Sequence, residues 1–455
     1  MYIEDTIAAI STPPGEGGIG IVRVSGIDAE KIGLQLFRFK KGDSFRSHFL
    51  HYGLLQDQHG NRIDEAMAVL MRKPASYTCE DILELHCHGG LLVTEQVLQA
   101  VLASGARLAE PGEFTRRAFL NGRIDLLQAE AVIDTIQAKT VDSLRLAQNQ
   151  SSGTVSAYFS EIADRLTKLL ATVEAYIDFP DEEIGTNLEY DTSQELSAII
   201  AMLQQLLAGF DAGYLLREGV SIVIAGRPNV GKSSLLNRLL SENRAIVTDI
   251  PGTTRDLIEE GLNINGLPVR LVDTAGIRQT EDIVEQDGVQ RAIKKATEAD
   301  LALFVLDASS GFLPEDQFAF DALGDVKTLL VLNKSDLPPA LRLSSPLDKL
   351  PQVTISANTG FGLDNLRHAI SSTFLADTAN DQLNPVTISR VRHRDAVQSA
   401  IASLKQAEVA LNSKLGLEFV AIELREAVFS MGQVTGITTA EDVLDMIFSS
   451  FCIGK

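Results

Sequence analysis

The apolar positions change period along the chain. Residues 1 to about 118 mix short β-type runs with helix. "TIAAI" and "GIVRVSG" read as strands around the turn-rich "STPPGEGG", and "AMAVLMR" and "DILELHCH" as further strands. "GLLVTEQVLQAVLASG" has helical spacing and stops at a glycine. From about 119 to 217 the period is helical. In "EIADRLTKLLATVEAYIDF" the residues Ile162, Leu166, Leu169, Leu170, Val173 and Ile177 fall on one helix face. From 218 to about 377 the runs "SIVIAG", "VRLVDTAG", "LALFVLDAS", "TLLVLNKSD" and "QVTISAN" alternate with helical stretches, the signature of a mostly parallel sheet. "LADTANDQLNP", at 375–385, reads as a linker. Beyond it the chain is helical again, with Val397, Ile401, Leu404 and Leu411 on one stripe.

This order predicts a multidomain α/β plus all-α protein. Its parts are an α/β domain (1–118), a helical segment (119–217), a second α/β domain (218–377) and a last helical segment (378–455). Either the second α/β domain is inserted into one helical domain, or the four are separate units. Insertion is preferred, because it is tolerated where chain ends lie close together.

The 455 residues suffice for two to four domains. The 45% hydrophobic and 22% charged content is ordinary for a globular protein. A net charge of −21 argues against a general nucleic-acid coat, which needs clustered Lys and Arg. The cysteines Cys79, Cys87 and Cys452 are too sparse for a disulfide framework and suit a reducing compartment. "MYIEDTIAAI" lacks the basic flank of a signal peptide, and no run of about 18 apolar residues appears. The expectation is a cytoplasmic protein with no membrane span.

The strongest motif is "GRPNVGKSS". Gly226, Gly231, Lys232 and Ser233 fit the P-loop spacing between a β-type run and a helical one. Glycines let backbone N–H groups of Asn229, Val230, Gly231 and their neighbours wrap phosphates, and the helix N-terminus adds positive potential. Lys232 reaches the β- and γ-phosphates, and Ser233, followed by Ser234, supplies a hydroxyl to Mg²⁺. "TDIPGTTRD" offers Thr254 as a second Mg²⁺ hydroxyl. "DTAG" (Asp273, Thr274, Ala275 and Gly276) ends a strand where an Asp orders the Mg²⁺ water shell. "NKSD" supplies Asn333, Lys334 and Asp336; the Asp carboxylate can accept two N–H groups of guanine that adenine does not offer. In "SAN", Ser356 and Ala357 can turn backbone N–H groups toward guanine O6. Five motifs in one order predict a GTP-binding, Ras-like P-loop domain. The residue after the DxxG glycine is Ile277, which cannot orient the attacking water as a glutamine would.

Three weaker signals compete with plain structural readings. Gly15, Gly17 and Gly20 match a dinucleotide fingerprint, but the run after them reads as a strand where that motif needs a helix. His86, Cys87 and His88 suggest a metal site, yet strand neighbours point to opposite faces and no second ligand pair is spaced for it. Cys452 is either a thiol near a reaction site or part of a packed helix end.

Over its full length the chain resembles the MnmE (TrmE) family of tRNA-modification GTPases. The resemblance is carried by "DTIAAISTPPGEGGIGIVRVSG", "PGEFTRRAFLNGRIDLLQAEAV", "AYIDFPDEE", "GRPNVGKSSLLN", "TDIPGTTRD" and the terminal "IFSSFCIGK". It implies an N-terminal tetrahydrofolate-binding domain and a G domain inserted into a helical one. It implies modification of position 5 of the tRNA wobble uridine, adding an aminomethyl or carboxymethylaminomethyl group. The one-carbon unit comes from 5,10-methylene- or 5-formyl-tetrahydrofolate. The implied partners are tRNA, a second copy of the chain, and the FAD-dependent MnmG protein. GTP hydrolysis is implied to be K⁺-stimulated, with the two G domains of the homodimer meeting face to face. Carried over by position, Asn229, Thr248, Ile250 and Thr253 hold K⁺, Ile250 through its carbonyl. They lie in or near a nucleotide loop that also includes Asp249, Pro251 and Gly252, with Pro251 where a small residue is usual. Arg23, Glu84, Arg123 and Lys455 match the folate positions, Arg123 standing in place of a Lys. Glu285 matches the catalytic glutamate, with Lys232 the other catalytic residue. A different class also remains open, a regulatory or assembly GTPase that binds RNA or ribosomes without modification chemistry; it would have no reason to hold folate.

Overall fold

The structure, a computed structural model, describes residues 5–179, 188–243, 260–272, 298–375 and 384–455. These fall into two compact units, one made of residues 5–133 with Phe429–Lys455, the other of the described residues between Asp134 and Val428. Phe429–Lys455 thus go with the N-terminal sheet, although the chain's period groups them with the helical segment.

The first unit contains β1 (Ile7–Ile10), β2 (Gly20–Ser25), α1 (Ala29–Leu36), β3 (Phe37–Phe39), β4 (Leu50–Gln56), β5 (Arg62–Met71), β6 (Ile82–Cys87), α2 (Leu91–Ala103), β7 (Arg107–Leu108) and α3 (Glu113–Leu120). The strands form one sheet in the order β3-β4-β5-β6-β2-β1-β7. Alternation decides its faces. Val22 and Val24 on β2 and Leu83 and Leu85 on β6 enter a core with Ile32 and Leu36 of α1 and Val97 and Val101 of α2. Arg23 and Glu84 alternate onto the opposite face, and the antiparallel register sets them directly across from each other. A strand, β2, begins at Gly20 where the dinucleotide fingerprint needs a helix, so Gly15 and Gly17 belong to a turn. The C-terminal helix Glu441–Ser449 packs on this unit: Phe448 and Phe451 share a cluster with Leu126, Ala129 and Phe119.

The second unit begins within α4 (Leu126–Gln137) and continues through α5 (Val141–Ser151), α6 (Thr154–Asp178), α7 (Leu188–Ala208) and α8 (Phe210–Glu218). On α6 the stripe read from the sequence is buried at Ile162, Leu166, Leu169 and Val173, with Leu170 and Ile177 half-buried at its edge. The run Glu189–Glu218 contains an 18-residue stretch long and apolar enough to cross a membrane, with a mean hydropathy of 1.4. Its apolar side is used inside the protein: Leu196, Ile199, Leu203 and Leu206 are buried, and α7 packs on α12 (Val391–Asn412), which buries Val397, Ile401, Leu404 and Leu411. A last helix, α13 (Leu417–Thr435), leads out of this unit.

Between α8 and α12 lies the second sheet: β8 (Val220–Ala225), α9 (Lys232–Asn243), β9 (Glu260–Ile264), β10 (Leu267–Val272), β11 (Leu301–Asp307), α10 (Pro314–Asp321), β12 (Thr328–Asn333), β13 (Gln352–Thr354) and α11 (Leu363–Leu375). The order is β13-β12-β11-β8-β10-β9, parallel except for the β9–β10 hairpin. Every residue of β11 is buried, as expected of a parallel strand covered on both faces. One carboxylate joins the chain before and after this sheet. Asp134 Oδ1, on α4, accepts from Arg217 Nε at 2.9 Å and from Arg390 Nη2 at 2.8 Å. Nearby, buried Gln150 on α5 donates to Thr387 O and Ser389 Oγ.

Candidate functional site

The phosphate loop runs from the end of β8 to the start of α9, the strand–loop–helix setting that the motif requires. Its backbone explains its glycines. Gly226 has φ +141, and a Cβ there would meet Val305 O at 2.4 Å; Gly231 has φ +101, and its Cβ would meet Asn333 Nδ2 at 2.2 Å. Asn229 is exposed and takes a left-handed φ of 65°, which Asn tolerates better than most residues. Lys232 curls back over the loop, with Nζ donating to Gly226 O at 2.7 Å and Arg227 O at 2.8 Å. Ser233 and Ser234 are exposed in the first turn of α9.

The ends of the neighbouring strands converge on this loop. Asn333, buried at the end of β12, donates from Nδ2 to Val230 O at 2.8 Å, and its Oδ1 accepts from Ala357 N at 2.9 Å. Lys334 Nζ pairs with Asp307 at the end of β11 at 2.7 Å. Burial alone would raise the Asp307 carboxyl, but hydrogen bonds from Lys334 and Ser309 outweigh it and hold the group below its ordinary value. Asp336 is exposed, and one of its oxygens accepts from Ser356 Oγ at 2.6 Å. Gly231, Asn333, Asp336, Ser356 and Ala357 therefore share the C-terminal edge of a parallel sheet, where such sheets bind ligands. The exposed Ser233 hydroxyl, on the helix turn that follows a backbone shaped for phosphates, fits a Mg²⁺ ligand. The Asn229 side chain is exposed on the same loop and has an amide oxygen to offer a cation. Thr248, Asp249, Ile250, Pro251, Gly252, Thr253, Thr254, Asp273, Thr274, Ala275, Gly276 and Glu285 lie outside the described residues.

A second constellation lies in the first unit. Arg23 donates to Glu84 Oε1 from Nε at 2.9 Å and from Nη2 at 2.8 Å. Its Nη1 reaches Gly454 O at 3.5 Å, and Ser11 Oγ reaches the same carbonyl at 3.2 Å. The chain end is seated closely: Gly454 has φ +95, and a Cβ would meet Ile10 O at 2.3 Å. Lys455 follows directly, half-exposed. Arg123 joins the group through Tyr77. Its guanidinium lies 4.8 Å from the Tyr77 ring centroid and donates to the Tyr77 carbonyl, while Arg23 lies 5.9 Å from the same ring. Burial raises the Tyr77 hydroxyl pKa, and that hydroxyl bonds Thr115 Oγ1 at 3.0 Å. Glu84 Oε2 faces His86 Nε2 at 3.3 Å. The His86 hydrogen bond, set against burial and assisted by Arg23, holds the Glu84 carboxyl below its ordinary value.

Arg23, Glu84, Arg123 and Gly454 thus come together from across the sequence, with Lys455 next to Gly454 in the chain. Tyr77 and His86 belong with them; residue patterns do not reveal Tyr77, and His86 stood only in the "LHCHGG" run. That run divides as strand alternation requires. Cys87 turns into the core and its thiol is pushed up to about 11 by burial, while His88 bonds Asp64. Among the described residues no group of three His, Cys, Asp or Glu side chains is placed to hold a metal. Cys452 is exposed just beyond the C-terminal helix, so it is not a packed helix end.

A parallel sheet with a phosphate loop after β8 and an NKxD aspartate at its C-terminal edge defines a GTPase of the P-loop class. Residues 126–452 match the MnmE helical domain, and residues 6–123 match the N-terminus of the GTP-binding protein TrmE. The chain is 53% identical over 456 residues to the tRNA modification GTPase MnmE of Geobacter sulfurreducens and 52% over 457 residues to that of Geobacter metallireducens, each match covering 100% of both chains. Identity at that level and coverage settles the family: the chain belongs to the MnmE family.

Proposed function

We propose that this chain is the GTP-hydrolysing subunit of a complex that modifies position 5 of the wobble uridine in tRNA, using the one-carbon unit of a tetrahydrofolate. The observation that carries the reading is full-length identity of 53% to a relative named for tRNA modification and GTPase activity. An assembly GTPase without modification chemistry is the less favoured reading, since the likeness extends through the N-terminal unit.

In this reading Lys232 leaves the loop carbonyls for the β- and γ-phosphates, and Asp336 accepts the guanine N–H pair while Ser356 orients its carboxylate. Ser233 and Thr254 hold Mg²⁺, which neutralises phosphate charge when bound. Asn229, with Thr248, Ile250 and Thr253, holds K⁺ where an arginine finger would otherwise reach. Glu285 orients the water that Ile277 cannot. Arg23, Arg123 and Lys455 meet folate carboxylates, and Glu84 accepts from the pterin N–H groups. The chain works in the cytoplasm as a homodimer, with the FAD-dependent MnmG protein and tRNA as partners.

The deciding experiment is nucleoside analysis of tRNA from a strain lacking this chain. Loss of the 5-aminomethyl-type wobble uridines, restored by the intact gene, supports the reading. An unchanged nucleoside profile overturns it.

A further inference from the structure

Both oxygens of Glu84 are engaged from within the protein. Arg23, on β2, holds Oε1, and His86 Nε2 stands 3.3 Å from Oε2. A carboxylate has no proton to give, so Nε2 is the donor. Glu84 and His86 are two residues apart on β6 and share a face. Their side chains are only 16% and 20% exposed. The charged and titratable groups facing Glu84 are Arg23 from β2 and His86 from its own strand; its register neighbour on β5 is the apolar Val69.

A carboxylate oxygen offers two acceptor positions. Arg23 fills both on Oε1, from Nε and Nη2, and His86 fills one on Oε2, which leaves one position on Oε2 for a ligand. An N–H donor, such as one on the ring edge of a pterin, matches that open position. Without His86 the carboxylate would be held by one oxygen only, and its plane could turn about that bond.

We propose that His86 is a positioning residue for folate, fixing the Glu84 carboxylate so that the open position on Oε2 faces the pterin edge. This rests on the reading of the Arg23–Glu84 constellation as the folate site. His86 also keeps the carboxylate charged. With the imidazole removed, Arg23 alone opposes burial and the Glu84 carboxyl rises. The ligand requires the anion, so the acid limb of binding moves to higher pH.

The test is calorimetric titration of full-length wild type, His86→Ala and His86→Gln with 5-formyltetrahydrofolate across a pH series, with thermal melting of each. Glutamine still donates an N–H but does not titrate. His86→Ala should bind roughly tenfold more weakly near neutral pH, as expected for removal of a hydrogen bond to a charged group. Its acid limb should lie above that of wild type. His86→Gln should restore both affinity and limb. The ligand's own titration is common to all three proteins and cancels. An alanine variant with wild-type affinity and limb overturns the proposal, as does a glutamine variant that behaves like alanine. If the alanine variant does not fold, the glutamine variant alone decides. A wild type that shows no binding overturns the folate reading itself, which separates the two failures.

Discussion

Asn333 donates to the Val230 carbonyl at 2.8 Å and so ties the end of β12 to the phosphate loop. The same amide accepts from Ala357 N, and at 2% exposure neither bond is replaceable by water. Asn333→Ala should cost about 2 to 4 kcal/mol, because two bonds go and their buried partners stay behind. The unfolding midpoint in urea and the affinity for GTP should fall together. A variant with unchanged values in both measurements would remove this amide from the framework of the site.

Asp336→Asn should weaken GTP binding by about 2 kcal/mol, roughly thirtyfold, and improve binding of xanthosine triphosphate. Ser356 bonds one carboxylate oxygen and an amide oxygen can replace it, so the fold should persist. Competitive titration with the two nucleotides reads the effect; equal loss for both would point to misfolding instead of base recognition.

Hydrolysis should be fast in KCl and slow in NaCl if Asn229 holds a monovalent cation where an arginine finger would act. Such fingers are worth about 10³ to 10⁵ in rate, and the ion should recover part of that. Glu285→Ala should cut turnover sharply with nucleotide affinity nearly intact, because the glutamate's hold on the water matters only in the transition state. Equal rates in the two salts, or an active Glu285→Ala variant, would each dismiss the corresponding role.

What could be read in advance depended on how local the information is. The phosphate loop lies within nine letters, and its strand–loop–helix setting follows from hydrophobic period, so both were legible. The stripe on α12 was legible for the same reason. The Arg23 constellation was legible only by resemblance. Its hydrogen bonds join residues 61 and 431 positions apart, and nothing in the local pattern announces that Arg23 meets Glu84 or Gly454. Tyr77 escaped because an aromatic flanked by turn residues has no period to betray it. The C-terminal helix groups by period with the helical segment that starts at about 119, and its phenylalanines fill a cluster with Phe119 and Leu126 from the start of that segment, a pairing that period alone does not specify.

Asp134→Ala should destabilise the second unit by about 2 to 4 kcal/mol, because it removes the carboxylate that two largely buried guanidinium groups share. Asp134→Asn, which keeps an acceptor but no charge, should cost less. Urea unfolding of the two variants gives the comparison, and equal losses would mean that the charge contributes nothing.

Acid should destabilise the first unit through the groups around Arg117, whose guanidinium is 2.9 Å from Glu113 and pairs with Asp5 and Glu80. Burial would raise the Asp5 and Glu113 carboxyls, but Arg107 and Arg117 outweigh it and both stand below their ordinary values. Folded values below unfolded ones mean stability that is present above the ordinary carboxylate range and lost as pH falls through the lowered values. Urea midpoints of wild type should therefore drop below about pH 4. Arg117→Met should be less stable at neutral pH and show a shallower acid loss. A parallel pH dependence in the two proteins would exclude this cluster as its source.

Asp134 also bears on how the chain leaves the helices for the second sheet and comes back. Arg217 and Arg390 touch one oxygen atom, so the points where the polypeptide leaves the helices and returns are near neighbours. Allowing about 7 Å of reach for each arginine and the two hydrogen bonds to the shared oxygen, their backbones are within about 20 Å, a gap that roughly six extended residues span. A short bridge of Gly and Ser in place of the intervening segment should therefore let the helices close without it. The segment between Arg217 and Arg390 in that sense leaves and rejoins the helices at one place, which a short turn could close.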